Sequence, residues 1–220
     1  AQNEVKFWVD IQDYFIFKSL NDLIPKFSIK MDFKEIRSIT EIISNIVDYK
    51  SEFTSRHSKG LSEKALLMSE FYKFDLDTKY QLEIAADLHD IGKLATSNNI
   101  LDKNGKLEPF EFLEIKSHAY LTRKALENIC GFEKITEWAA NHHEKLNGKG
   151  YPLGKKDNEL DFCSRILGCL DIYQALTEER PYRASLSHEK SISIMKSMSE
   201  NYEIDSNIVD SIDKVFCLSI

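Results

Sequence analysis

Proline and glycine are scarce in this chain, at 4 and 8 of 220 residues, and most of the sequence between them reads with a helical period. Cysteine is no more common. Cys130, Cys163, Cys169 and Cys217 are scattered and lack CxxC spacing, which argues against a disulfide framework or a zinc knuckle and fits a reducing cytoplasm. Basic residues are not in excess: the formal charge is −7, so the broad basic face that grips DNA or RNA is missing. A small anionic ligand remains compatible with that charge, because metal ions and one or two cationic side chains make a local positive site. No uninterrupted apolar run approaches the roughly 20 residues of a membrane span, so no membrane segment is expected. The start "AQNEVKFWVD" has no basic stretch followed by an apolar one, and no signal peptide is expected. The first residue is Ala1, as in a piece excised from something longer.

What remains is an ordinary globular composition, 42% hydrophobic and 30% charged, long enough for one sizeable core or one domain plus an appendage. Residues 61–73 carry Leu61, Ala65, Met68 and Phe71 or Tyr72 on one stripe. Residues 78–94 carry Tyr80, Ile84, Ala85, Leu88 and Ile91, with Asp77 as the expected N-cap. Residues 109–130 carry Phe112, Ile115, Leu121, Ala125 and Ile129. Residues 34–56, 133–143, 161–178, 187–200 and 205–217 complete the helices, with Ser187 and Asp205 as caps. No convincing alternating strand appears, and the expected fold is an all-α bundle. Residues 1–50 form an N-terminal segment, a helical cap or the remnant of an upstream domain, and residues 51–220 the main domain. The aromatic-rich "FWVDIQDYFIF" fits either a helix or a strand.

The histidines are His57, His89, His118, His142, His143 and His188. Any one alone is more often a surface or core residue than a ligand, but the group is unusual. His89 and Asp90 adjoin the apolar stripe in "AADLHDIGK", where burial is expensive unless the pair is partnered or bound to metal. Asp171 sits in the apolar helix "RILGCLDIYQAL", where a salt bridge to Arg165 or another basic partner is the ordinary explanation. Imidazoles and a second carboxylate make mixed His/Asp ligation of a first-row metal such as Fe, Mn or Zn the stronger one. On a helix, His89, Asp90 and Lys93 share a side. A lysine beside two cations points to an anion between them, a substrate phosphate; the plainer alternative is that Lys93 caps the helix end.

"HDIGK" at 89–93, "HHEKLNGKGYP" at 142–152 and "RILGCLDIYQALTEERPYR" at 165–183 resemble, in order and spacing, the HD-GYP family. That family is a branch of the HD-domain metal-dependent phosphohydrolases, known for opening cyclic dinucleotides, chiefly cyclic di-GMP. The resemblance covers about residues 51–200. It implies two divalent metal ions, Fe or Mn first among the candidates. Carried over by position, His57, His89 and Asp171 hold one metal, and Asp90 bridges to a second completed by His118, His142 and His143. Lys93 contacts the scissile phosphate, and Lys93 and Asp90 form the catalytic pair. Tyr151 faces a base or phosphate from the Gly-Tyr-Pro loop, whose Pro152 stiffens the turn. Arg180 and Arg183 match positions that bind the phosphates of the dinucleotide, although exposed pairing with Glu178 or Glu179 would also account for them. His188 matches nothing and is expected at the surface near a helix start.

Three positions depart from the family pattern. Phe53 stands where members with three metals carry a glutamate, Asn147 where an aspartate is frequent, and Gln174 where a further aspartate occurs. The implied reaction is metal-assisted hydrolysis of a cyclic dinucleotide, cyclic di-GMP first, to a linear dinucleotide or GMP. Two alternatives stay open. One is a weak or inactive module that binds a cyclic dinucleotide or a partner protein as a sensor. The other is a hydrolase for another cyclic dinucleotide such as cyclic GMP-AMP. A second copy of the chain or an upstream sensory domain are the macromolecular partners consistent with this reading.

Overall fold

The computed structural model describes residues 29–50, 57–103, 105–179 and 184–217, and among them every regular element is helical. The helices are α1 (Phe33–Asp48), α2 (His57–Phe71), α3 (Leu76–Leu88), the short α4 (Asn98–Leu101), α5 (Pro109–Leu126), α6 (Glu133–Ala140), α7 (Phe162–Thr177), α8 (His188–Glu200) and α9 (Ser206–Phe216). Short 3-10 turns cover Ile91–Ala95 and Asp157–Glu159. The all-α expectation holds. The expectation for "FWVDIQDYFIF" lies outside the described residues.

The core forms where the apolar stripes meet. Leu61, Ala65 and Met68 of α2 pack with Leu82, Ile84 and Leu88 of α3, Ile135 and Trp138 of α6, and Ile166, Leu167 and Leu170 of α7. Met195 of α8 and Ile208 and Ile212 of α9 close the far side. Helix starts follow capping chemistry. Ser187 and Asp205 accept from Lys190 N and Asn207 N as expected. For α3 the cap is Asp75, whose carboxylate accepts from Thr78 N, and Asp77 instead lies in the first turn.

The stripe expected on α5 is out of phase. Phe112, Ala125 and Ile129 are exposed, and the buried face runs through Glu111, His118, Ala119, Thr122 and Leu126. Burial on this helix follows the polar groups that line an inner cluster, so an apolar stripe alone points to the wrong side. The helix expected over 78–94 also breaks. It ends at Leu88, Asp90 leaves helical geometry at φ −102 and ψ 7, and the chain tightens into the turn at Ile91–Ala95.

Helix α1 packs on α3 through a buried polar contact. Thr40 Oγ1 donates to Asp87 Oδ2 at 2.8 Å, and the Arg37 guanidinium pairs with Asp87 at 2.8 Å and Glu83 at 3.6 Å. Ser58 Oγ on α2 donates to Asp48 Oδ1 at 2.6 Å, joining the end of α1 to the start of α2.

Candidate metal centre

His89 caps α3, His118 is midway along α5, and His142 follows the end of α6. Each ring meets the backbone carbonyl three residues earlier: Nδ1 of His89 with Ala86 O at 2.7 Å, of His118 with Ile115 O at 2.5 Å, of His142 with Ala139 O at 2.6 Å. A carbonyl only accepts, so Nδ1 carries the hydrogen and, in the neutral ring, Nε2 is left with its lone pair facing inward. The Nε2 atoms of His118 and His142 are 3.3 Å apart.

Two carboxylates stand among these nitrogens. Asp90 Oδ2 lies 3.2 Å from His89 Nε2 and accepts from Lys93 Nζ. Asp90 Oδ1 lies 3.3 Å from His118 Nε2 and 4.0 Å from His142 Nε2, and is buried without a hydrogen-bond partner. Asp171 Oδ1 is 2.9 Å from His57 Nε2 and 4.0 Å from His89 Nε2, and its Oδ2 is 3.7 Å from His143 Nδ1. Arg165, the ordinary partner considered for Asp171, pairs instead with Asp205 at 3.3 Å. Three donor sets have their ligand atoms within 4.8 Å of one another: His118, His142 and His143; His57, His89 and Asp171; His89, Asp90 and His142. All seven residues expected as ligands are thus brought to one place.

The residues fit a divalent ion on the structure's own terms. An orphaned carboxylate oxygen and facing imidazole lone pairs are unfavourable together unless a cation lies between them. Protonation states agree for His118, His142 and His143. Burial, reinforced by neighbouring imidazoles, holds His142 well below its ordinary value and brings His143 down to about 4; burial also lowers His118. These rings are therefore neutral near pH 7, as ligation requires. Burial opposes the charge on His57, but the flanking Asp171 and Glu178 carboxylates outweigh it and raise the ring to about 9. For Asp90, burial is outweighed by the fields of His89 and Lys93, and for Asp171 by His57, so both carboxyls fall well below the usual range.

The turn that carries His89 and Asp90 is seated directly on α5. Gly92 N donates to Thr122 Oγ1 at 3.1 Å, and that hydroxyl donates to His89 O at 2.9 Å. A Cβ on Gly92 would sit 2.0 Å from the carbonyl oxygen of His118. Glycine is required here by close backbone approach. Lys93 reaches Asp90 across one turn of the 3-10 segment, not along a continued α-helix.

The Gly-Tyr-Pro loop is held by Glu144, a buried residue that its sequence position did not single out. Its carboxylate accepts from Leu153 N at 2.7 Å and Lys155 N at 2.9 Å, while Tyr151 N donates to His143 O at 3.1 Å. The Tyr151 ring lies 4.8 Å from that of His143 and 6.4 Å from that of His118. Lys116 Nζ sits 5.0 Å above the Tyr151 ring and 4.6 Å above that of Phe112, so the exposed Phe112 belongs to the rim of this site. Burial pushes the Tyr151 hydroxyl upward, keeping it a neutral phenol.

Arg180, Arg183 and Phe53 lie outside the described residues. His188 is at a helix start as expected but is not at the surface. It is buried, bonded to Tyr173 OH at 2.8 Å and Asp213 Oδ1 at 3.0 Å. Glu178, considered in the sequence only as a surface partner for arginines, meets His57 Nδ1 at 3.0 Å. Its signal was available: it follows Asp171 by seven residues, two turns along the same helix face.

Residues 41–208 match the family described as HD domain. Among curated proteins, the chain is 38% identical over 188 residues to 3'3'-cGAMP-specific phosphodiesterase 1 of Vibrio cholerae, spanning 86% of this chain and 44% of that protein. It is 38% identical to 3'3'-cGAMP-specific phosphodiesterase 3 of the same organism, over 76% of this chain and 36% of that one. A cyclic di-GMP phosphodiesterase of Thermotoga maritima is 29% identical over 73% of this chain and 44% of its own length. The chain thus spans less than half the length of these relatives. Among solved structures, an HDG"Y"P protein from Bdellovibrio bacteriovorus superposes with a TM-score of 0.63 at 14% identity, over 84% of this chain and 65% of that one. The HD domain of the L. monocytogenes phosphodiesterase PgpH gives 0.59 at 14% identity, over 80% and 96%. At that identity both likenesses concern the fold.

Proposed function

This chain belongs to the HD domain family and carries the His89–Asp90 and Gly150–Tyr151–Pro152 motifs, and from that premise we propose that it is a metal-dependent phosphodiesterase that hydrolyses a cyclic dinucleotide. The observation that carries the reading is the convergence of five imidazoles and two carboxylates, with Asp90 Oδ1 buried and unpartnered among them.

His57, His89 and Asp171 hold one ion; His118, His142 and His143 hold the other; Asp90 stands between the sets, within 3.3 Å of His118 and 3.2 Å of His89. The number of ions in this reading is two, since Phe53 has no donor where a third would need a carboxylate. Fe and Mn suit the His/Asp donors. When bound, such ions supply Lewis-acid stabilisation of a phosphoryl group and make water acidic enough to yield a nucleophile near neutral pH. The chain's own residues do the rest. Lys93, held against Asp90, offers an ammonium to the scissile phosphate and supports the charge that grows on its oxygens. Tyr151 walls the site beside His143, with Lys116 stacked behind it. Arg180 and Arg183 hold the second phosphate, so the reacting one keeps its in-line geometry.

Cyclic di-GMP is the first substrate in this reading. Cyclic GMP-AMP is the second, favoured by the names of the two relatives at 38% identity. The reaction belongs in the cytoplasm, in keeping with four free cysteines. Among the described residues no helix is long and apolar enough to cross a membrane. A second copy or an upstream sensory domain is the partner this reading allows, and nucleic acid is not one.

Turnover of both dinucleotides by anaerobically purified protein loaded with Fe²⁺ or Mn²⁺, with metal content measured in parallel, is the test. Hydrolysis that scales with about two ions per chain supports the reading. Tight dinucleotide binding without turnover, at full metal loading, would favour a sensor. The ratio of kcat/KM for the two dinucleotides decides the substrate.

A further inference from the structure

We propose that Glu178 is the positioning residue for His57, fixing which nitrogen of that ring faces the metal centre. The inference rests on the metal-centre reading above. It starts from a comparison of the imidazoles. His89, His118 and His142 each use the backbone carbonyl three residues earlier to hold Nδ1. For His57 the residue three earlier lies outside the described residues, and the described partner of its Nδ1 is a side chain. Its Nδ1 meets Glu178 Oε2 at 3.0 Å, and its Nε2 meets Asp171 Oδ1 at 2.9 Å.

A neutral imidazole has one N–H and one lone pair. With Asp171 and His57 as joint ligands of one ion, Nε2 must present the lone pair, so the hydrogen belongs on Nδ1 and needs an acceptor. Glu178 is that acceptor. A carboxylate there fixes the tautomer and the ring plane and makes Nε2 a stronger donor to a cation.

The surroundings hold Glu178 to this task. It is the C-cap residue of α7, and its side chain is only 13% exposed. Asp171, Gln174 and Glu178 lie along one face of α7, opposite His57, Gly60 and Lys64 of α2. Lys64 Nζ donates to Gln174 Oε1 at 2.7 Å, and a Cβ on Gly60 would come within 2.5 Å of Gln174 Nε2. Gln174, one of the departures from the family pattern, thus lies between the two carboxylates that meet His57 and is bonded to α2 through Lys64.

The test uses the full chain and the variants Glu178→Ala and Glu178→Gln, titrated with Co²⁺ in competition with a chromophoric chelator. The visible absorption of the bound cobalt reports its coordination. Wild type should bind two ions. Glu178→Ala should weaken one of them by about 10- to 100-fold, the usual loss when a partner behind a metal ligand is removed, and shift its cobalt spectrum. The other ion should keep its affinity. Glu178→Gln, which retains an oxygen acceptor of the same shape, should recover part of the loss. Unchanged affinities and spectra in both variants, with only a lowered melting temperature, would overturn the assignment and make the contact a structural ion pair. Failure of the wild type to bind cobalt would overturn the metal-centre reading itself, and this inference with it. If Glu178→Ala does not fold, Glu178→Met, which keeps the volume but has no oxygen acceptor, takes its place: an unchanged spectrum and affinity overturn the proposal, and a weakened ion sustains it.

Discussion

The Nε2 atoms of His118 and His142 face each other at 3.3 Å, while the Nδ1 of each ring is committed to a backbone carbonyl. Two lone pairs at that distance repel unless one ring is protonated or a cation sits between them. Burial and the surrounding imidazoles make protonation of His142 unfavourable. A divalent ion is the remaining remedy. Addition of Mn²⁺ to chelator-treated protein should therefore raise the melting temperature. At 100 times the dissociation constant the gain is about 2.7 kcal/mol, readable by calorimetry. Identical melting curves with chelator and with metal would contradict the metal-centre reading.

Asp90 touches His89, His118 and Lys93 at once. Asp90→Ala should lose both ions, or keep one weakly, and abolish dinucleotide hydrolysis. Far-UV circular dichroism should be unchanged, because Asp90 lies between α3 and the following turn, outside either helix interior. His188→Ala is no neutral control for this experiment, since it would strand the buried hydroxyl of Tyr173. The exposed Lys190→Ala serves instead. Full metal content and normal turnover in Asp90→Ala would show that the ligand assignment is wrong.

Gly92→Ala tests the seat of the His89–Asp90 turn. The added Cβ meets the His118 carbonyl at 2.0 Å and the Thr122 nitrogen at 2.7 Å, both backbone atoms of α5. The turn must lift away, at a cost of about 1–3 kcal/mol by analogy with overpacked cores. Metal affinity should fall with it, because His89 and His118 separate. Denaturant unfolding and chelator competition read the two effects on one sample.

Arg183→Ala addresses the substrate. It should weaken cyclic dinucleotide turnover by about 1.5–3 kcal/mol, the range for a hydrogen bond to a charged group. Hydrolysis of bis-p-nitrophenyl phosphate, which has no second phosphate, should hardly change. Equal losses on both substrates would mean that Arg183 supports the fold or the metals.

Asp87 gives a pH dependence of stability that is separate from the chemistry. Burial pushes its carboxyl up to about 7, against the pull of Arg37 and the hydrogen bond from Thr40. An unfolded aspartate titrates near 3.9. The folded state thus holds the extra proton between these values. Its contribution is full below the unfolded value and is lost as pH rises through about 7. Stability should decline across that window, by no more than about 4 kcal/mol, and Asp87→Asn should flatten the slope. Urea unfolding of both proteins at several pH values checks this.

Part of the candidate site was legible in the sequence because "HDIGK" and "HHEK" are short, chemically odd clusters; the isolated His57 and His118 were legible through the resemblance to the HD-GYP family. The helices were legible from their periodicity, except on α5, where burial of His118 and Thr122 turned the apolar side outward. Glu178 and Glu144 escaped notice for one shared reason. Each is a glutamate in a charged stretch; spacing put Glu178 on the helix face of Asp171, but its contact with His57, and that of Glu144 with two loop amides, comes with the fold. His188 escaped likewise, since its partners Tyr173 and Asp213 lie 15 and 25 residues away.

The seven donors stand on five separate stretches of chain: His57 on α2, His89 and Asp90 after α3, His118 on α5, His142 and His143 after α6, and Asp171 on α7. All but His143 are buried. A buried donor is hemmed in by packed neighbours, so displacing it costs packing in the helix that carries it. An ion held there would leave as those stretches part, so its release should track amide hydrogen exchange in α3, α5 and α7 more than the strength of any one bond.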